Sequence, residues 1–263
     1  MARNIPGPLY FEQHGATGHP MAFMHSTPDD LRFWMFQTAH FSAWYRCIAI
    51  DAAGYGRSPA MQPGATMDDQ AEAHWEAIDR VTTDPVILHG NSMGSLTARI
   101  MAVQRPERTL AIILSGVGHS TNMREIQDRW KKRYTEEGIA LRNFQVLDHF
   151  SDRMKKDPFV QHYASMVDEL NNLSTLQGII AMNEALAAFD MSAAYMSQIK
   201  APTLIITGTE DRSHPSVPEL QKLIKGCEVR NMVGAGHANK FEMPWEYDRH
   251  TLEFLTRHGL FPS

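Results

Sequence analysis

The segment from Val86 to Val103 constrains the fold of this chain more than any other. An apolar run at 86–88 leads into a Gly-x-Ser-x-Gly sequence at 90–94, and a helical pattern follows from Ser95 onwards. The two glycines are expected at a strained strand-to-helix turn, where bulkier residues would clash. This arrangement requires a buried strand, a sharp turn and a helix. It holds the side chain of Ser92 out of the sheet at the carboxyl end of the strand.

The rest of the chain repeats this alternation of apolar runs and helical patterns. The candidate strands are Leu9–Gln13, Met21–His25, Arg46–Asp51, Pro85–His89, Thr109–Ser115, Thr203–Thr207 and Glu228–Val233. Helical patterns lie near 30–43, 68–82, 93–104, 216–225 and 245–257. Several candidate strands are apolar on both faces, which is typical of a parallel sheet covered by helices on each side. We therefore predict an α/β fold with a mostly parallel central sheet of about seven strands flanked by helices.

The stretch from about Thr121 to Ser197 breaks this alternation, because it has helical periodicity and no convincing strand. Helices are predicted from the spacing of Met123, Ile126, Trp130 and Tyr134, and at Ala140–Met154, Phe159–Asn171 and Leu176–Met191. We predict a core domain at 1–120 and 198–263 and an all-helical cap at 121–197, inserted after the sixth strand position. The cap is either a structural subdomain or a lid over a site, and its methionine and aromatic content suits an apolar pocket.

Composition excludes several classes of protein. Of the 263 residues, 43% are hydrophobic and 21% are charged, which is an ordinary globular balance. The formal net charge is -5 and no block of five like charges occurs, so we expect a small neutral or weakly polar substrate and neither nucleic acid nor a membrane as partner. Cys47 and Cys227 are interpreted as reduced structural residues. No metal or organic cofactor is implied.

The start of the chain lacks the apolar core of a signal peptide, and no apolar stretch reaches the roughly 18–20 residues of a membrane span. A cytoplasmic location is therefore expected. The sequence leaves the oligomeric state open, with a homodimer as one candidate.

A serine hydroxyl is a weak nucleophile at neutral pH, so Ser92 needs a histidine base and a carboxylate that orients this histidine. An apolar strand pattern at 203–207 ends in a turn that carries Glu210 and Asp211, and the last strand pattern runs into a glycine-rich loop that carries His237. Parallel strands end at one edge of a sheet, so these groups are expected near Ser92. His25 and His89 also end candidate strands there and are interpreted as structural.

Four motifs carry a resemblance to a known family. In chain order they are an Asp-x-x-Gly-x-Gly-x-Ser turn at 51–58, the Gly-x-Ser-x-Gly turn at 90–94, a Gly-x-x-Asp turn ending at Asp211, and a Gly-x-Gly-His loop ending at His237 and followed by Pro244. The chain resembles the α/β-hydrolase superfamily over essentially its whole length, in the lidded branch that includes carboxylesterases and meta-cleavage-product hydrolases. The resemblance implies Ser92 as nucleophile, His237 as base and Asp211, rather than Glu210, as acid. The turn at 51–58 is interpreted as structural.

The resemblance also implies an oxyanion hole, and here the sequence departs from the family pattern. Relatives usually have His-Gly-x after their third strand, whereas this chain has Ser26 after His25. By position, Thr27 and Met93 are the expected backbone N–H donors. Ser26 is either a tolerated substitution or a contact to substrate, and Asn91 is a second candidate contact to substrate.

These residues predict acyl transfer to water through an acyl-enzyme on Ser92. The leading hypothesis is hydrolysis of a carboxylic ester, a lactone or an aryl ester. An alternative is carbon–carbon bond hydrolysis of a ring-cleavage diketone, since the 90–94 turn resembles that of meta-cleavage-product hydrolases, although their glycine-rich oxyanion loop is absent. A third hypothesis, from another class, is a ligand-binding receptor that kept the hydrolase fold and turns over slowly.

Overall fold

The computed structural model describes residues 4–117, 123–170, 175–190 and 192–261. Its strands are β1 Phe11–His14, β2 Pro20–Met24, β3 Arg46–Ile50, β4 Val86–Asn91, β5 Thr109–Ser115, β6 Thr203–Gly208 and β7 Glu228–Met232. They form a seven-stranded sheet of order β1-β3-β2-β4-β5-β6-β7. Only β1 is antiparallel to its neighbour, and the other pairs are parallel. The predicted α/β fold is confirmed.

The core helices are α1 Met35–Phe41, α2 Met67–Asp79, α3 Met93–Gln104, α9 Val217–Leu223, α10 Asn239–Glu242 and α11 Pro244–Arg257. The cap helices are α4 Met123–Glu137, α5 Leu141–Asp148, α6 Pro158–Leu170, α7 Leu176–Ala188 and α8 Ala193–Met196. The helix predicted at 30–43 divides into a 3₁₀ turn at Leu31–Trp34 and α1. Among the described helices, none is long and apolar enough to cross a membrane.

The two faces of the sheet bury two separate apolar clusters, because successive side chains of a strand point to opposite faces. In β4, Leu88 packs into the cluster that contains Trp75 of α2, whereas its neighbour Ile87 packs into the cluster that contains Phe254 of α11. This explains why the central strands are apolar at every position. The central strands are thereby held rigidly, and their carboxyl ends form a fixed platform for a site.

The all-helical insertion lies between β5 and β6. The prediction placed it after a sixth strand position, and five strands precede the insertion in the described residues. The segment at 4–10, before β1, forms no strand. The division at 120/121 lies outside the described residues, so the domain boundaries stay a prediction, as does the part of the predicted helix at Asn171. The helix predicted at Leu176–Met191 ends at Ala188, because Phe189 is extended.

The cap helix predicted at Ala140–Met154 ends early, at Asp148. The reason is tertiary: the carbonyl group of His149 accepts a hydrogen bond of 2.8 Å from the N–H of Ala238, and the N–H of Ser151 donates to Glu242 at 2.8 Å. These partners belong to the core domain. The chain after α5 is therefore bound to the loop that carries His237.

Both cysteines are buried and form no disulfide bond. Burial raises the pKa of the Cys47 thiol and of the Cys227 thiol to about 12. Because the thiolate is the reactive form, neither residue is a nucleophile at neutral pH.

Candidate active site

The turn at 90–94, the nucleophile elbow, has the geometry that its glycines predict. Ser92 has φ 55° and ψ -114°, and no other non-glycine residue of the described chain has a positive φ. A Cβ atom on Gly90 would lie 2.3 Å from the carbonyl oxygen of Gly94, and one on Gly94 would lie 2.1 Å from that of Met24. Neither position tolerates a side chain. The glycines therefore permit the strained backbone that exposes Ser92 at the start of α3.

The elbow is tied to the end of β5. The N–H of Ser92 donates to the carbonyl oxygen of Ser115 at 2.9 Å. The next residue, Gly116, has φ +56°, and a Cβ atom there would lie 3.0 Å from Nε2 of His237. The imidazole of His237 thus lies against the bare backbone of Gly116, next to the elbow. Sequence reasoning missed Gly116, whose only local signal was its place after an apolar strand.

His237 is paired with Asp211. Its Nδ1 lies 3.0 Å from each carboxylate oxygen of Asp211. Because a carboxylate only accepts hydrogen bonds, Nδ1 carries the proton and Nε2 is the free acceptor. The side chain of Asp211 is 1% exposed and that of His237 is 20% exposed. The rival acid, Glu210, has an exposed side chain.

The charge state of Asp211 follows from its surroundings. Burial by itself raises the pKa of the carboxyl, but the charge and hydrogen bond of His237, with the N–H of Ser213 at 2.8 Å, lower it to about 2. The group is therefore an anion at neutral pH. It holds the imidazole in one orientation.

Asn91 is hydrogen-bonded to the loop that carries His237. Its side-chain amide donates to Oγ of Ser115 at 2.9 Å and to the carbonyl oxygen of His237 at 3.3 Å. The residue is fully buried. This geometry makes Asn91 a positioning residue for His237, and its contact with substrate stays a prediction.

The predicted oxyanion donors lie on adjoining segments. Gly94, next to Met93, packs against the backbone of Met24 and His25, just before the Thr27 loop. Met93 is the first residue of α3, and the N–H groups of a first helical turn have no acceptor within the helix. Thr27 is partly exposed. The pairing of Thr27 and Met93 as donors is therefore a proposal that this packing supports.

Ser26, the residue that departs from the family pattern, is fully buried, and its hydroxyl donates to Asp29. Asp29 also accepts hydrogen bonds from the hydroxyl of Tyr163 at 2.8 Å and from Nδ1 of His149 at 3.2 Å. The imidazoles of His149 and His237 lie 4.9 Å apart. Sequence reasoning missed this cluster. It directs the Ser26 proton to Asp29, so contact between Ser26 and substrate stays a prediction without support here.

Burial raises the pKa of Asp29, but hydrogen bonds and charge from His149, with the Ser26 hydroxyl, bring it below its usual value. Asp29 is thus an anion that joins the loop of Ser26 and Thr27, the proposed oxyanion loop, to two cap residues, His149 after α5 and Tyr163 in α6. One buried carboxylate therefore links the loop to the cap through hydrogen bonds.

His25 has the structural role that the sequence predicts. Its Nε2 accepts the N–H of Ala52 at 2.8 Å, so its Nδ1 donates to the carbonyl oxygen of Ser26 at 2.8 Å. His89 is also fully buried, and burial lowers its pKa to about 3. Both imidazoles are neutral at physiological pH.

The turn at 51–58 is likewise structural. The carboxylate of Asp51 accepts the N–H groups of Leu31 at 2.7 Å and Arg57 at 2.8 Å, and its carbonyl oxygen accepts the hydroxyl of Ser58 at 2.6 Å. A Cβ atom on Gly56 would lie 2.2 Å from this carboxylate. Asp51 is thus fully engaged in closing the turn.

A cavity of about 840 Å³ adjoins the histidine. It lies between cap residues 148–153 and the loops that carry Asp211 and His237, and Ser92 is not among the residues that line it. On the other side, Met93 and Val117 share an apolar cluster with cap residues that include Tyr134, Met182 and Met196. Met93, next to Ser92, therefore packs in an apolar cluster that the cap helps to build, whereas the cavity beside His237 is lined by charged residues.

The chain is similar in sequence to curated hydrolases. The chain is 27% identical over 209 residues to (E)-2-((N-methylformamido)methylene)succinate hydrolase of Acinetobacter baylyi, covering 77% of this chain and 75% of the relative. It is 27% identical over 235 residues to a 2-hydroxy-6-oxononadienedioate/2-hydroxy-6-oxononatrienedioate hydrolase of Burkholderia vietnamiensis. This match covers 83% of this chain and 79% of the relative.

Solved structures share the fold. An enol-lactonase of Burkholderia xenovorans superposes with a TM-score of 0.84 at 23% identity, covering 96% of this chain and 98% of that one. A thermophilic esterase of Thermogutta terrifontis superposes with a TM-score of 0.83 at 22% identity, covering 95% of this chain and 93% of that one. The family model for the alpha/beta hydrolase fold matches residues 19–244. The chain therefore belongs to the α/β-hydrolase fold family.

Proposed function

We propose that this protein is a serine hydrolase that cleaves a carboxylic ester, such as a lactone or an aryl ester, through an acyl-enzyme on Ser92. The observation that carries the proposal is the strained Ser92 backbone beside an imidazole whose Nδ1 is held by a buried carboxylate. This arrangement leaves Nε2 of His237 as a base at the edge of the sheet where Ser92 is exposed.

The reaction proceeds in two halves. Oγ of Ser92 attacks the carbonyl carbon while its proton passes to Nε2 of His237, and the N–H groups of Met93 and Thr27 stabilise the oxyanion. The C–O bond breaks, and the leaving alcohol takes the proton from His237. A water molecule, deprotonated by His237, then attacks the acyl-enzyme. The acid departs, and the proton returns to Ser92.

Carbon–carbon bond hydrolysis of a diketone is the second candidate. It is supported by similarity to the ring-cleavage hydrolase of Burkholderia vietnamiensis and by the Asn91 and Met93 flanks of the serine. The Ser26 hydroxyl, bound to Asp29, occupies the position of the glycine in their oxyanion loop, and this weakens the candidate.

The first test is labelling and turnover. The wild-type protein is expected to react with a fluorophosphonate probe and to hydrolyse p-nitrophenyl butyrate faster than a vinylogous diketone. Ser92→Ala is expected to lose both labelling and turnover with its circular dichroism spectrum unchanged, since it removes the attacking oxygen. Ser165→Ala, an exposed serine of α6, is the matched control.

Asp211→Asn is expected to lower kcat by a factor on the order of 10³–10⁴, because an amide can donate to Nδ1 and stabilise the wrong tautomer. Glu210→Gln should change kcat little.

Unchanged ester hydrolysis by Ser92→Ala would refute the mechanism. Faster cleavage of the diketone than of the ester would favour the second candidate, and tight ligand binding without labelling of Ser92 would favour a receptor.

A further inference from the structure

Arg142, the second residue of α5, is a buried cation whose side chain lacks partners among the described residues. Its side chain belongs to a residue that is 2% exposed, and neither Nε nor Nη1 has a hydrogen-bond partner in the described part of the chain. By contrast, Arg133 forms an ion pair with Glu137 at 2.7 Å, and Arg212 forms one with Asp148. Arg142 forms no ion pair with a described carboxylate.

Such a group is unfavourable unless it is paired. Burial lowers the pKa of Arg142, and the charges of Tyr134, Tyr55, Asp168 and Asp30 oppose this shift only in part. A buried cation is normally paired and hydrogen-bonded, because leaving its donors unsatisfied costs free energy. An anion bound from outside would supply the missing partner.

The position of Arg142 connects it to the candidate active site. The helix α5 leads from Arg142 to His149, whose imidazole lies 4.9 Å from that of His237. At a rise of 1.5 Å per residue, the backbones of Arg142 and His149 are roughly 10 Å apart along the helix axis. Tyr55 lies near enough to Arg142 to raise its pKa. The ring of Tyr55 also packs edge-on against that of His25, just before Ser26 and Thr27, with the ring centroids 5.7 Å apart. The guanidinium therefore lies between cap residues and the core segments that carry Tyr55 and Asp30.

The surroundings of Arg142 suit one end of an elongated ligand. The hydroxyl of Tyr134 donates to the side-chain oxygen of Gln145, one helical turn after Arg142, so polar groups cluster here. Leu141 and Val117 belong to the apolar cluster around the site. A polar end with a cation and an apolar middle match a carboxylate on a short carbon chain, and the planar guanidinium binds carboxylates through two parallel hydrogen bonds.

We propose that Arg142 binds a carboxylate of the substrate, so that the enzyme acts on esters or lactones whose acyl part carries a second, free carboxylate. This inference rests on the proposed function and names its substrate class. It replaces the neutral substrate expected from the net charge, because the net charge of a whole chain does not describe one buried site.

The test compares mono-p-nitrophenyl adipate with p-nitrophenyl hexanoate, an ester of equal length that lacks the carboxylate. The wild-type protein should prefer the charged ester in kcat/KM. Arg142→Met should reduce this preference by about 10- to 100-fold, the usual effect of a lost hydrogen bond to a charged group, mainly through KM. Arg142→Lys should retain part of it. Arg133→Met, an arginine of the same cap paired with Glu137, should leave both rates unchanged.

Equal kcat/KM for the two esters in the wild type, or equal losses of both in Arg142→Met, would overturn the inference. Should Arg142→Met fail to fold, inhibition of the wild type by adipate but not by its dimethyl ester supports the inference, and equal inhibition refutes it. A binding assay separates this inference from the proposed function. If Ser92 is neither labelled nor active, the proposed function fails, while adipate binding that Arg142→Lys keeps and Arg142→Met loses would still support the anion site.

Discussion

At the scale of single residues, the candidate site depends on buried charges of known sign. Asp211 and Asp29 are both anions in a low-exposure setting, and each is stabilised by an imidazole of the same cluster. The two imidazoles, His237 and His149, are in contact with each other. The first pair orients the proposed base, whereas the second fixes the loop that carries the proposed oxyanion donor.

The depressed pKa of Asp211 makes stability depend on pH. A carboxyl whose pKa falls from 3.8 to about 2 on folding contributes about 2 kcal/mol to the free energy of unfolding above pH 4. This contribution is lost as the pH falls from 4 through 2. Urea unfolding of the wild type and Asp211→Asn should therefore give free energies that converge over this range. Glu210→Gln, which changes an exposed neighbour, should follow the wild type, and a constant gap between wild type and Asp211→Asn would contradict the prediction.

At the scale of elements, the site depends on where strands and helices end. β4 and β5 pair in register up to Asn91 and Ser115, so the elbow and Gly116 follow at the same level of the sheet. The histidine loop approaches β6 closely, since a Cβ atom on Gly208 would lie 2.1 Å from the carbonyl oxygen of Ala235. Short side chains at these ends allow the segments to meet.

Gly116→Ala tests this close approach. Both Gly116 and Gly138 have positive φ, +56° and +74°, but only Gly116 has His237 where a Cβ atom would stand. We expect each alanine variant to lose about 1–2 kcal/mol of unfolding free energy through backbone strain. Only Gly116→Ala should also lose kcat, because the methyl group displaces the imidazole. Thermal unfolding and ester hydrolysis measured side by side decide this, and an equal kcat for the two variants would argue against the contact.

At the scale of the whole molecule, the cap and the core are joined across the site. The described chain has one apolar cluster on each face of the sheet, and a third that unites α5 and α6 of the cap with Phe33 and Phe241 of the core. Within this third cluster, Tyr163 reaches Asp29. The position of the cap is therefore coupled to the geometry of the loop of Ser26 and Thr27, the proposed oxyanion loop.

Tyr163→Phe tests the coupling. It removes one hydrogen bond to a buried anion, so we expect a loss of about 1–3 kcal/mol in the free energy of unfolding, together with a lower kcat for ester hydrolysis. The control is Tyr10→Phe, whose hydroxyl donates to the partly exposed Glu12 at 3.1 Å and should matter little. Equal losses in the two variants, measured by urea unfolding, would show that Asp29 does not need this donor.

The fold and the proposed triad could be read from the sequence, because each depends on short-range patterns. Apolar runs predicted the strands, glycines marked the elbow around Ser92, and the order of the motifs favoured Asp211 over Glu210. The cap was recognised as helical, although its second helix ends at Asp148 instead of Met154. Helix ends of this kind are decided by distant hydrogen-bond partners.

Tertiary structure alone decided which distant side chains meet. His149 contacts Asp29, which lies 120 positions earlier in the chain, and Asn91 contacts His237, which lies 146 positions later. That Arg142 lacks a partner among the described residues is equally invisible in a sequence, because it depends on every group that packs around the guanidinium. Local patterns determine which elements form, whereas the pairing or isolation of a buried charge depends on how those elements pack.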